Sequence, residues 1–126
     1  MTIWTRLIIC LAGLYGAAGV SLAAWSAHRA GGELLMTAAL FLLLHAGPML
    51  AIALARPLRA QLIAASLLAV GAFLFSGDLS LRLLAGAKPW AMAAPTGGML
   101  LIAGWLMVAA TALMRRQATH PNETPG

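Results

Sequence analysis

Three ionisable side chains stand among apolar neighbours, and they are the residues whose types could do chemistry: His28, His45 and Asp78. Asp78 lies in "FLFSGDLSLRLL" (73–84), four residues before Arg82. On a helix that spacing puts a carboxylate and a guanidinium on one face, and the long arginine stem can reach outward to water. Two readings compete. One is a shallow ion pair closing a helix end, about 4–5 Å inside the boundary. The other is a substrate or proton site, because an ionisable group inside a span costs roughly 2.5–3.5 kcal/mol at its centre and marks function where it persists. His28 closes the first apolar run at a depth similar to Asp78, either as an interfacial cap on exposed carbonyls or as a hydrogen-bonded partner of Asp78. His45 is deeper, about 16 Å below that boundary. It is either a ring bonded to a neighbouring helix, with the Leu44 carbonyl freed by Pro48 as one acceptor, or part of a proton relay or ligand site. Ser76, Ser80 and Thr96 add hydroxyls in the same half, able to join a polar cluster or to bond their own backbone. His45 and Asp78 differ in depth by roughly 11–12 Å, so no metal centre is expected of these three groups.

The elements that position these groups are written in the composition. Of 126 residues 62% are apolar and 9% charged, which leaves too little polar surface to cover a water-soluble globule of this size. Charge serves as punctuation for four long apolar runs, 7–27, 34–55, 60–81 and 89–114. Each reaches the roughly 20 residues that a helix needs to cross a hydrocarbon layer about 30 Å thick. The connectors carry Gly31 and Gly32, then Pro57, then Gly86 and Pro89, and such short links join spatial neighbours. The expected fold is therefore an all-α membrane protein, four transmembrane helices in an antiparallel up-and-down bundle over 1–114. A polar tail at 115–126, with Pro121 and Pro125, is expected to be disordered.

Packing in lipid needs small side chains. Gly13, Gly16, Gly19 and Ala23 form one stripe on the first helix, and Gly97, Gly98 and Gly104 a set on the fourth that is expected to face the bundle interior; Gly77 is a further packing candidate. Trp4, Trp25 and Trp90 lie near span ends, where indole rings favour the interface, whereas Trp105 is deep and reads as packing.

The net charge of +5 comes from eight Lys and Arg against three acids. These basic residues sit at the ends of apolar runs rather than in a patch, so they argue for topology and headgroup contact and against nucleic acid. Arg6, Arg56, Arg59, Arg115 and Arg116 share one side, and Arg29, Arg82 and Lys88 the other, which favours both termini in the cytoplasm. The first run is too long for the core of a cleavable leader and is expected to be kept as a helix. Cys10 is alone, so no intrachain disulfide forms. No nucleophile elbow, P-loop, dinucleotide fingerprint or zinc-protease helix is present, so neither catalysis nor a cofactor is expected.

Four stretches in order, the first helix ending in "AAWSAH", "FLLLHAGPML", "LFSGDLSL" and "APTGGMLLIAGW", closely resemble the YgdD-like small bacterial inner-membrane proteins, domain of unknown function 423 (DUF423). The resemblance spans about residues 7–113. It matches that family's two histidines to His28 and His45, its "FSG" to Phe75, Ser76 and Gly77, and its proline-glycine turn to Pro95, Gly97 and Gly98. "LAAWSAH" replaces a glycine-rich lead into the first histidine, and Ala94 stands where a hydroxyl residue is usual. The resemblance implies a four-helix protein of the bacterial inner membrane and brings no activity with it.

Three classes of function follow. The leading expectation is a noncatalytic accessory, assembly or stabilising subunit that acts through helix packing, its partner another membrane protein or a second copy. The alternative is a small transporter or proton-conducting element using His45, Asp78 and His28. A lipid- or quinone-modifying enzyme ranks last.

Overall fold

A computed structural model of the protein describes residues 1–88 and 90–118, with side chains through Met114. Four helices follow one another: α1 (Ile3–Ala27), α2 (Glu33–Leu54), α3 (Arg59–Leu84) and α4 (Ala93–Ala118). All four are long and apolar enough to cross a membrane, and no strand occurs among the described residues. The ends differ from the sequence expectation because charge marks where apolar letters stop, whereas hydrogen bonds decide where a helix stops. α1 starts four residues earlier than the apolar run, since the Thr2 hydroxyl accepts the Thr5 N–H (3.2 Å) and caps the first turn. α3 continues past Arg82 to Leu84, which places Asp78 about 9 Å from the helix end rather than 4–5 Å. The fourth helix begins at Ala93, not at 89, and Pro95 falls in its first turn, where a missing N–H is harmless. α4 also carries through Ala118, so the first residues of the expected tail are helical; residues 119–126 lie outside the described residues.

The links turn as their glycines imply. Gly31 and Gly86 adopt left-handed backbone (φ 73° and 61°), a conformation that glycine reaches without penalty. Gly32 caps α2 so close to the Ser26 carbonyl that a Cβ would collide with it. Arg56 takes the left-handed position after the α2 C-cap (φ 52°), ahead of Pro57.

The bundle is two antiparallel hairpins, α1–α2 and α3–α4, joined chiefly by α2 against α3. Its core is built from Ile8, Leu42, Met49, Leu68 and Leu101 with small alanines between them. Small residues bring the backbones close, as helix association in lipid requires. Gly97 lies on Gly71 and Phe75: a Cβ added there would stand 2.6 Å from the Phe75 nitrogen and 2.7 Å from the Gly71 oxygen. Gly104 lies on Leu68 and Ala64, and Gly19 on Leu43 and Ala39. Gly13, Gly16, Gly77 and Gly98 instead have nothing within 4 Å of such a Cβ, so they are not close-packing positions within this chain. Among the described residues α4 packs on α3 and reaches α2 only through side chains. This leaves lateral grooves between α1 and α3 and between α2 and α4.

Candidate functional site

Lipid cannot satisfy a polar group, so each one inside the bundle must find a partner. His45 is 6% exposed and uses both ring nitrogens. Nδ1 donates to the Phe41 carbonyl (2.6 Å), and Nε2 accepts the Trp105 indole N–H (3.2 Å). A carbonyl can only accept and an indole N–H can only donate, so the ring is held as the Nδ1–H tautomer. The backbone acceptor is Phe41, one turn back on α2, rather than the Leu44 carbonyl opposite Pro48. Trp105 has more than a packing role, since it carries the only polar bond from α4 to α2 among the described residues. Phe41 and Phe75 flank the pair, with ring centroids 4.2 Å apart. Together these side chains line the α2–α4 groove of about 640 Å³.

Trp105→Phe keeps the packing and removes the donor to His45. Interhelical hydrogen bonds in membranes average about 0.6 kcal/mol and reach about 1.7. A loss of about 1 kcal/mol is expected, read by reversible unfolding in mixed micelles. A variant as stable as the parent would show that the bond contributes nothing.

Two more bonds that the sequence did not single out tie α1 to α3 in the half nearer the termini. The Trp4 indole donates to Ser66 Oγ (2.9 Å), and the buried Tyr15 hydroxyl donates to the Ala69 carbonyl (2.5 Å). A phenol in the middle of an apolar run, and an indole just ahead of one, are the signals that could have found them, because a buried Tyr or Trp seeks a partner.

Asp78 is the exception to this closure. Its side chain is wholly buried (0% exposed), and Oδ2 accepts from Arg82 Nε at 2.7 Å, the guanidinium side remaining 33% exposed. Oδ1 is buried without a partner among the described residues. Gly104 over Ala64–Leu68 and Gly97 over Gly71–Phe75 set the antiparallel register. One further turn brings Asp78 level with Met92 and Ala93, where α4 begins. Among the described residues the acid's one partner is Arg82.

The other expected members of a polar cluster do not gather around it. His28 is exposed at the end of α1, and no described hydrogen bond or ion pair joins it to Asp78. Ser76 Oγ donates across to the Ala38 carbonyl of α2 (2.9 Å), which makes it a helix tie, whereas Ser80 Oγ donates back to the Ser76 carbonyl (2.7 Å). Thr96 is half-buried, and no described bond links its side chain to Asp78. No group of three or more metal-ligating side chains converges among the described residues.

Four apolar helices, closed internally by hydrogen bonds and by glycine crossings, define a small multi-pass membrane bundle. A family model, "Protein of unknown function (DUF423)", matches residues 12–98. The chain belongs to this family. No curated protein and no solved structure matches it.

Proposed function

We propose that this chain is a noncatalytic accessory, assembly or stabilising subunit of the bacterial inner membrane, with both termini in the cytoplasm. The observation that carries this reading is the use to which the intramembrane polar groups are put. His45, Trp105, Trp4, Ser66, Tyr15 and Ser76 are spent on one another or on backbone carbonyls, and so serve to hold helices in register. Gly13 on the exposed face of α1 has open space beside it, as does half-buried Gly16, and a close-packing neighbour would have to come from another chain. The basic residues support the orientation, five on the side of the termini against three on the other.

The test is extraction of the tagged protein from its own membrane into nanodiscs, followed by mass determination of what remains attached. A stoichiometric protein partner is the expected result. A chain that emerges strictly alone, with no partner and no second copy, would contradict the proposal.

One observation favours the second reading, a proton-conducting element: the unpartnered Oδ1 of Asp78. Against it, His45 is closed on both sides by Phe41 and Trp105, so taking up a proton at Nε2 would first require breaking the Trp105 bond. His28 stands outside the bundle.

A further inference from the structure

Beyond Tyr15 the contact between α1 and α3 gives way to a lateral groove of about 540 Å³. Leu11, Tyr15 and Leu22 of α1 form one wall, Phe73 and Gly77 of α3 the other, and Trp25 and Ser80 stand at its mouth. The hydroxyls along it are already spent. Ser21 donates to Ala17, Ser76 to Ala38 and Ser80 to Ser76, all backbone carbonyls at 2.7–2.9 Å. What enters the groove therefore meets hydrocarbon, and its own inserted part must be hydrocarbon. From Leu11 to Trp25 the helix rises about 21 Å, enough to run from the bilayer middle to the interface, since one leaflet contributes about 15 Å of a roughly 30 Å layer. Gly77 keeps the wall open: a Cβ there would meet nothing within 4 Å, so no helix crossing explains the glycine.

The mouth has the opposite chemistry. The α1 stripe that lines the groove ends at Trp25, and its next turn is His28 and Arg29. The backbone keeps winding there, with His28 N–H on the Trp25 carbonyl and Arg29 N–H on the Ser26 carbonyl. Both side chains are exposed, and neither forms an ion pair among the described residues. On the same face Asp78 is already taken by Arg82, which leaves Glu33 as the one acid opposing Arg29 and Lys88. A guanidinium presents a planar donor fork that matches phosphate.

We propose that the α1–α3 groove is a binding site for one glycerophospholipid, with an acyl chain along Tyr15, Phe73 and Gly77 and the phosphate on Arg29 and His28. Hydrocarbon inside, exposed His28 and Arg29 one turn past Trp25 and lateral access from the bilayer together favour this amphiphile over a soluble anion or a free alkane. A helix of a partner protein would need no cationic mouth.

The test is native mass spectrometry of the purified full chain in mild detergent, titrated with a phosphatidylglycerol carrying palmitoyl and oleoyl chains. One lipid is expected to remain bound to the parent chain. Arg29→Ala, an exposed link residue that the fold does not need, is expected to weaken retention about fivefold, the equivalent of about 1 kcal/mol per basic residue at a membrane surface. Gly77→Leu fills the groove and is expected to abolish retention, while Gly98→Leu, in equally open space beside the other groove, retains lipid like the parent. Circular dichroism identifies variants that remain folded. No retained lipid on the parent chain, retention unchanged in folded Arg29→Ala, or a partner helix cross-linked into the groove in place of lipid would each overturn the proposal.

Discussion

Gly97→Ala is expected to destabilise the bundle by about 1–2 kcal/mol, while its neighbour Gly98→Ala leaves stability unchanged or slightly raised. The two substitutions add the same methyl group and the same gain in helix propensity, up to about 1 kcal/mol. They differ in what the methyl meets. At Gly97 it would lie 2.6 Å and 2.7 Å from backbone atoms of Phe75 and Gly71. Backbone atoms cannot rotate away as a side chain can, so α4 must lift off α3, and overpacking of this kind costs typically 1–3 kcal/mol. At Gly98 nothing stands within 4 Å. Gly71→Ala, the reciprocal position, should behave like Gly97→Ala, since its methyl would meet the Gly97 oxygen at 2.8 Å. Reversible unfolding in mixed micelles reads all three. Equal stabilities for the 97 and 98 variants would mean that α3 and α4 do not cross where the structure places them.

Arg82→Leu is expected to cost roughly 3 kcal/mol, and the double variant Asp78→Leu with Arg82→Leu to recover most of that loss. Removing one member of a buried pair leaves the other charge uncompensated and costs about 3–5 kcal/mol, whereas replacing both with apolar groups is often neutral. The low end applies because the guanidinium is one-third exposed and part of its charge is already solvated. The carboxylate bears the penalty, since its side chain is wholly buried and Oδ1 has no partner even in the intact pair. A double variant as unstable as Arg82→Leu would show that Asp78 contributes something that the ion pair does not explain.

The four spans were legible because charge and proline interrupt a chain that is otherwise apolar, and the bilayer allows few architectures for such a chain. Their ends were less so: the Thr2 cap that starts α1 and the three residues of α3 beyond Leu81 depend on hydrogen bonds rather than hydropathy. Glycine spacing put Gly19, Gly97 and Gly104, where an added Cβ would meet a neighbouring helix, together with Gly13, Gly16, Gly77 and Gly98, where it would meet nothing. Periodicity tells which residues share a helix face, not which face meets a neighbour. Gly71 went unnoticed because it stands alone in "LLAVGAFL", although it completes the crossing at Gly97. His45 was visible as an anomaly. Its closure by Trp105 was not, because a pairing across sixty residues of sequence is set by how α4 lies on α3. Asp78 with Arg82 was the local feature and could be read directly, as an i, i+4 pair should be.

The central claim is that these intramembrane polar side chains hold the bundle together and do not form a path through it. Its most direct test is proton flux into proteoliposomes that carry a trapped pH-sensitive dye, driven by an imposed pH gradient and a potassium–valinomycin potential. The account predicts that the reconstituted protein conducts no faster than protein-free liposomes, with Asp78→Asn and Trp105→Phe indistinguishable from the parent chain. Flux well above the protein-free rate that Asp78→Asn or His45→Ala abolishes in a folded protein would contradict it.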